Sequence, residues 1–66
     1  MYNCIYYSFK TTQGFGDNFW DWKEPFDEVT KEMLLTIKSI IAYETKTPVS
    51  QIAITFLIPL KNNYEN

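Results

Sequence analysis

The 66-residue chain lacks most of what small domains use to hold a fold together or to carry out chemistry. It has no histidine and only one cysteine, Cys4, so neither an intramolecular disulfide nor a tetrahedral zinc site is available. A chain of this length buries only about 60% of its unfolded surface. Because small domains usually need a disulfide, a metal or a partner subunit, we expect a homodimer or a complex with another protein.

Arginine is also absent, and the balance of charge is acidic, with a net charge of −2. Residues 1–28 hold two lysines and five acidic residues, whereas residues 29–66 hold four lysines and three acidic residues. Direct binding of nucleic acid normally needs a basic patch, so it is not expected here. No apolar run approaches the roughly 18 residues of a membrane span, and no signal-peptide pattern is present. With its lone cysteine, the composition predicts a protein of the cytoplasm without membrane contact.

Aromatic residues are the one class present in excess, at 18% of the chain. A core this small cannot enclose all of them. Some should therefore lie on the surface, where aromatic side chains are favoured anchors of protein interfaces.

The first part of the chain predicts a β-hairpin. Residues 2–10 are aromatic and β-favouring, residues 11–14 contain turn formers, and residues 15–22 return as a second strand. Residues 16–18 are poor strand formers, so a bulge or a late start is expected there. Pro25 is expected to end the second strand.

Alternation along these strands assigns side chains to two faces of a sheet. In the first strand, Tyr6 faces the side of the sheet opposite to the residues next to it in the chain. In the second strand, Phe19 and Asp21 face one side of the sheet, and Trp20 and Trp22 face the other. Whether Phe19 or Trp20 shares a face with Tyr6 stays open at this point.

A helix is predicted over residues 28–45, with Asp27 as its N-cap and Thr47-Pro48 as its stop. Apolar residues recur at spacings of three and four and form one stripe, which contains Val29, Met33, Leu34, Ile37, Ile40 and Ile41. Leu35 and Ala42 are predicted on the opposite face of the helix.

A third strand is predicted over residues 51–58, ended by Pro59. The side chains expected to face the helix are Ile52, Ile54, Phe56 and Ile58. Leu57 is expected on the other face of the sheet, and residues 62–66 are expected to be a frayed tail.

These elements predict an α+β fold: a single ββαβ domain over residues 1–61, with a three-stranded sheet and one helix packed on one face. Strand order 2-1-3 with all neighbours antiparallel satisfies the right-handed crossover with short loops. Order 1-2-3 with a parallel last pair is the alternative.

No catalytic or metal site is expected. The Gly14-Phe15-Gly16 run lacks the further glycines and the following helix of a phosphate loop, which leaves a hairpin turn. The acidic residues between 17 and 28 do not match the spacing of a calcium loop. Cys4 has no histidine to activate it and is expected to be a buried thiol. We therefore predict no enzymatic activity and no cofactor.

The sheet face away from the helix is the candidate partner surface. We expect Tyr6, Trp20 and Trp22 to supply its apolar anchor, and Asp17, Asp21 and Glu24 to meet a basic partner. Two other interpretations stay open. The aromatic side chains could stack on a small nucleotide held between subunits, or the chain could be a structural subunit of a larger assembly.

Three short motifs resemble a loose family of short proteins from bacteriophages and mobile elements of Firmicutes. The matching residues are Tyr7-Ser8-Phe9, Gly14-Phe15-Gly16 followed by Asn18, and Ile54 to Leu60, whereas the Trp20-Asp21-Trp22 segment departs from the family's pattern. The family has no assigned activity, so the resemblance implies a fold and a phage origin. From this resemblance, the small size and the acidic segment, we expect a phage-type protein that binds a host protein in the bacterial cytoplasm, and inhibition of a host defence enzyme is the specific hypothesis.

Overall fold

The computed structural model describes residues 1–61. Strand β1 spans Tyr2–Thr11, β2 spans Gly14–Phe26, helix α1 spans Lys31–Thr45, and β3 spans Ala53–Leu60. The sheet has order β2-β1-β3 with both neighbouring pairs antiparallel, which confirms the predicted α+β fold and strand order. The tail predicted at residues 62–66 lies outside the described residues. Within residues 1–61, no helix has both the length and the apolarity to cross a bilayer.

The β1–β2 hairpin forms where the sequence predicts it. Thr11 pairs with Gly14, which leaves Thr12 and Gln13 as the loop. The Gln13 amide donates to the Thr11 hydroxyl at 3.0 Å, and that hydroxyl donates to the Gly14 carbonyl at 3.3 Å. Gly14 has a φ of +147°, a conformation that side-chain-bearing residues rarely adopt, so a glycine is required here.

Strand β2 differs from its prediction at both ends. Pairing is regular from Gly14 to Asp21, so the bulge expected at residues 16–18 is absent there, and the Phe9 ring lies 3.0 Å from where a Cβ of residue 16 would be. The irregularity instead lies between Asp21 and Phe26, where β2 has three more residues than β1. Pro25 is inside the strand and does not end it, because β2 is an edge strand on which a missing N–H is tolerated.

Helix α1 begins three residues later than predicted. Its N-cap is Thr30, whose hydroxyl accepts from the Met33 amide at 3.2 Å, while the Thr30 amide donates to the Met33 sulfur at 3.4 Å. This reciprocal pair satisfies the first free backbone donors, and Asp27 is therefore not the cap. The helix ends at Thr45 as predicted, followed by Lys46 in the left-handed conformation at φ 56°.

The core lies between α1 and one face of the sheet. Its buried members are Ile5, Tyr7, Met33, Ile37, Ile41 and Ile52. The predicted apolar stripe is thus confirmed at its centre, and Leu35 is exposed as expected. Ala42 was expected on the opposite face of the helix, but it is partly buried against the core.

Strand β3 contains a bulge that the sequence did not predict. Ser8 pairs with Phe56 and Phe9 with Ile54, so Thr55 is an extra residue. Beyond the bulge the alternation is inverted. The predicted faces are therefore correct for Ile52 and Ile54, and wrong for Phe56, Leu57 and Ile58.

Leu57 packs against the core, while Phe56 and Ile58 are exposed. Pro59 also lies within β3 instead of ending it, again on an edge strand.

Candidate functional site

The side of the sheet away from α1 has no covering element among the described residues. We call this side the open face. It is formed by side chains on the opposite side of each strand from the core residues, namely Cys4, Tyr6, Ser8, Lys10, Phe15, Asp17, Phe19, Asp21, Thr55, Phe56, Ile58 and Leu60. One helix covers only one face of a three-stranded sheet, so this surface follows from the fold itself.

Three aromatic rings cross the open face, one from each strand. Tyr6 in the central strand lies 5.1 Å from Phe19 and 6.1 Å from Phe56, measured between ring centroids, with tilted planes in both pairs. Tilted rings at these separations attract one another through their quadrupoles. Phe19 is nevertheless 61% exposed and Phe56 53% exposed. We call these three residues the aromatic row.

The central ring of the row is fixed by a hydrogen bond. The Tyr6 hydroxyl donates to Oδ2 of Asp17 on the neighbouring strand at 2.7 Å. This bond raises the pKa of Tyr6 above its ordinary value, because losing the proton would remove the bond and place two negative charges side by side. The hydrogen bond therefore ties the Tyr6 hydroxyl to Asp17, while the Tyr6 ring contacts Phe19 on one side and Phe56 on the other.

A second polar contact ties β3 to β1 beside the aromatic row. The hydroxyl oxygens of Ser8 and Thr55 lie 2.8 Å apart, a hydrogen-bonded distance. Thr55 is the extra residue of the β3 bulge, so this contact supports the bulge that turns Phe56 onto the open face.

Cys4 lies at the other end of the open face, opposite Asp21. It is only 6% exposed, and burial is the main cause that raises the pKa of its thiol. A hydrogen bond to Asp21 and the charge of that carboxylate raise the thiol pKa further. A thiol held neutral in this way is a poor nucleophile, as the sequence led us to expect of a buried cysteine.

The six residues predicted as the partner site fall into two groups. Tyr6, Asp17 and Asp21 share the open face. Trp20 is paired with Ile5 and therefore lies on the helix side, and Trp20 and Trp22 both pack against the core with ring centroids 5.4 Å apart. These two rings belong to a separate surface, because β1 and β2 pair in the register that places Phe19, and not Trp20, beside Tyr6.

Glu24 lies near the tryptophans, in the irregular part of β2. Residues 20–24 line an open pocket of about 500 Å³, in which Asp21 and Glu24 supply negative charge and Lys23 positive charge. The net negative lining disfavours a phosphate-bearing ligand. This pocket therefore gives no support to the interpretation in which the tryptophans stack on a nucleotide.

Sequence reasoning missed two residues of the open face, Phe56 and Ile58, and left Phe19 undecided. The hairpin offered a signal for Phe19: a loop at Thr12 and Gln13 pairs residues whose numbers sum to 25, which places Phe19 opposite Tyr6. No comparable signal marks the bulge at Thr55 that brings Phe56 and Ile58 to this face.

The open face combines aromatic rings with carboxylates. Tyr6, Phe19 and Phe56 supply the rings and Asp17 supplies a carboxylate, while the thiol of Cys4 beside Asp21 is buried. Within residues 1–61, no three cysteine, aspartate or glutamate side chains are grouped so that they could hold a metal ion. Comparisons with protein-family models, curated proteins and solved structures find no match to this chain.

Proposed function

We propose that this chain is a non-catalytic protein-binding module that acts through the open face. The aromatic row is the apolar anchor, and Asp17 and Asp21 meet basic side chains around an apolar site on the partner. The observation that carries the proposal is the exposure of Phe19 and Phe56 on either side of a Tyr6 ring that Asp17 holds in place.

Such an arrangement lowers the entropic cost of binding. Phenylalanine and tyrosine have few rotatable bonds, and the two outer rings already rest against Tyr6. Rigid aromatic side chains that offer a large contact area are typical of binding hot spots. A partner that covers the row would gain apolar contact without first having to order these side chains.

The charges near the row favour a basic partner. Asp17 and Asp21 lie on the open face, and Glu24, Asp27 and Glu28 follow along the chain from β2 towards α1. Complementary charge across an interface accelerates association and selects among partners. A surface that normally holds nucleic acid combines basic and apolar groups in this way, and would be complementary to the open face.

The narrower form of the proposal is an inhibitor of a host defence enzyme, encoded by a bacteriophage and acting in the bacterial cytoplasm. Its support is the resemblance of the three short motifs to phage proteins, together with the small size and the charge complementarity described above. Occlusion of a basic groove would require no catalysis by the inhibitor.

The test compares capture of a bacterial host protein by two matched variants. Phe19→Lys places a positive charge in the aromatic row, whereas Tyr43→Lys makes the same kind of change at an 85% exposed ring on α1. We expect the wild-type protein and Tyr43→Lys to capture the same host protein at equal stoichiometry. Phe19→Lys should reduce capture at least tenfold, because a lysine there is desolvated beside a basic surface.

Two further readouts decide the proposal. Capture by the wild-type protein should weaken as the salt concentration rises from about 50 mM to about 500 mM. Salt screens the attraction between acidic and basic side chains at the solvent-exposed rim of the interface. Circular dichroism must show that both variants are folded. Equal capture by a folded Phe19→Lys variant would exclude the aromatic row as the binding surface.

A further inference from the structure

The two edges of the sheet are protected very differently. The β2 edge has an irregular segment between Asp21 and Phe26 that contains Lys23, Glu24 and Pro25. Bulges, charges and prolines are the usual means of preventing another strand from pairing with an edge. The β3 edge, Ala53–Leu60, carries no charged residue. Its bulge at Thr55 and its Pro59 lie towards the two ends, and the residues between them, 56–58, are regularly paired with β1.

Apolar side chains flank the β3 edge on both sides of the sheet. Phe56 and Ile58, which is 40% exposed, lie on the open face. On the helix side, exposed Leu34 and Leu35 line a cleft of about 280 Å³ with Ile54. Lys31 and Lys38 border this cleft, and their long side chains can keep their charges in water while their stems cover apolar surface.

We propose that the β3 edge pairs with the β3 edge of a second copy of this chain. The pairing is antiparallel and centred on Leu57, so that two three-stranded sheets join into one of six strands. Phe56 then lies opposite Ile58 of the partner subunit on the open face, within the regularly paired segment that follows the Thr55 bulge. Aromatic residues opposite β-branched ones are among the favourable cross-strand pairs.

A second copy fits this edge for three reasons. An uncharged strand can lie beside its own copy without opposing like charges. A two-fold axis makes the contact closed, and the protected β2 edges stop further growth of the sheet. A chain of 66 residues with one cysteine has no disulfide to support its small core, and a partner subunit is the usual alternative.

This dimer goes beyond the proposed function, because it adds the backbone edge of β3 and a second copy of the chain, while Phe56 belongs to both the aromatic row and the dimer contact. Edge pairing about a two-fold axis perpendicular to the sheet keeps both helices on one side and both open faces on the other. Two aromatic rows would therefore face the same direction. A partner with two sites, or a dimeric partner, would bind such a surface with increased avidity.

The first test is the mass of the protein in solution, measured by analytical ultracentrifugation and native mass spectrometry. We expect a dimer for the wild-type protein. We call the contact between the two β3 strands the seam. Ile58→Lys places a lysine from each chain into the seam and should weaken the dimer at least tenfold. Phe19→Lys is the matched control: it adds the same charge to the same face, but on β2, and should leave the dimer intact.

A mixing experiment tests the register. In the proposed pairing residue 56 of one chain lies opposite residue 58 of the other, so Ile58→Lys mixed with Phe56→Glu should form a heterodimer. In that heterodimer one seam position holds a lysine opposite a glutamate, and the other keeps the original Phe–Ile pair. Each variant alone should be mainly monomeric, and native mass spectrometry separates the three species.

The two variants also separate failure of this inference from failure of the proposed function. Ile58→Lys should lose the dimer and Phe19→Lys should lose partner capture. A wild-type protein that is monomeric up to about 100 µM, or a dimer that survives Ile58→Lys but not Phe19→Lys, would overturn the β3 seam. Absence of the heterodimer, with both single variants monomeric and folded, would overturn the Leu57-centred register.

Discussion

At the scale of single residues, the contact between Tyr6 and Asp17 determines the character of the open face. A hydroxyl in the middle of an aromatic row would normally be solvated and free to rotate. Here it is bonded at 2.7 Å to a carboxylate on the next strand. Asp17 therefore has two roles: it fixes the central ring, and it supplies negative charge beside the anchor.

The first prediction concerns the titration of Tyr6. Asp17→Asn removes the negative charge that opposes ionisation, so the pKa of Tyr6 should fall towards its ordinary value near 10. An NMR titration of the tyrosine ring signals measures this change. Tyr7 is the internal control, because burial is the main cause of its raised pKa and the second cause is Glu44. The pKa of Tyr7 should be unaffected by the substitution.

The pH dependence of the folding stability gives a second measurement of the contact between Tyr6 and Asp17. A tyrosine whose pKa is raised in the folded state binds its proton more tightly there than in the unfolded chain. The stability from this contact is therefore fully present below pH 10 and is lost as pH rises through the raised pKa. If Asp17→Asn leaves the Tyr6 titration unchanged, the hydrogen bond does not form in solution.

Residue patterns predicted the neighbours of Tyr6 only in part. The turn residues at 11–14 locate the hairpin, and a two-residue loop then determines every partner of β1 in β2 down to Asp21. Trp20 and Trp22 were nevertheless assigned to the partner site because tryptophan is a frequent hot-spot residue. The strand alternation, followed through this register, places them on the helix side.

Among the secondary-structure elements, β3 contains a bulge that strand alternation in the sequence does not predict. Ile52, Ile54, Phe56 and Ile58 alternate perfectly in the sequence, and strict alternation places all four on one face. One extra residue at Thr55 inverts the alternation for everything after it. Bulges have no reliable sequence signature when the bulged residue is not glycine, so the exposure of Phe56 could not be predicted.

The start of α1 illustrates a competition between two capping residues. Asp27 and Thr30 are both favoured N-cap types, and the sequence analysis predicts the cap at Asp27 alone. Thr30 is selected because its hydroxyl reaches the Met33 amide while Met33 accepts from Thr30 in return. The stripe of Met33, Ile37 and Ile41 was predictable because packing on the sheet requires that spacing.

The next prediction concerns the end of this helix. Lys46 has a φ of 56°, a left-handed conformation that costs a residue with a β-carbon about 1–2 kcal/mol. Lys46→Gly removes that cost but increases the entropy of the unfolded chain by about 0.4–1 kcal/mol. The net result should be a gain of about 0.5–1 kcal/mol in the free energy of unfolding, measured by urea denaturation.

Lys46→Ala is the matched control for the helix end. Alanine also removes the lysine side chain and its charge, but it keeps the β-carbon that makes a positive φ unfavourable. It should therefore give no gain in stability. Equal stabilisation by alanine and glycine would mean that the charge, and not the backbone conformation, is the cause.

At the scale of the whole molecule, the arrangement of one helix on three strands leaves two surfaces without a covering element among residues 1–61. The open face carries the aromatic row, and the β3 edge carries unpaired backbone groups without protecting charges. The proposed function uses the first surface and the proposed dimer uses the second. A single small core can therefore support both binding to another protein and self-association.

The sequence predicted this division in outline. Size, composition and element order were sufficient for the α+β fold and for an uncovered sheet face. They were not sufficient for the composition of that face, because it depends on a bulge in β3 and on the register of the hairpin. An aromatic surface with acidic neighbours specifies the kind of partner, one with apolar and basic groups, and not a particular protein.

Binding of a partner through the open face can be observed residue by residue with ¹⁹F NMR. Incorporation of 4-fluorophenylalanine labels all five phenylalanines: Phe19 and Phe56 in the aromatic row, Phe9 and Phe26, which pack against the core, and the exposed Phe15 beside the hairpin loop. When the captured host protein is added, the signals of Phe19 and Phe56 should shift while those of Phe9 and Phe26 stay in place. Shifts confined to Phe9 and Phe26 would show that the partner binds elsewhere and would contradict the account.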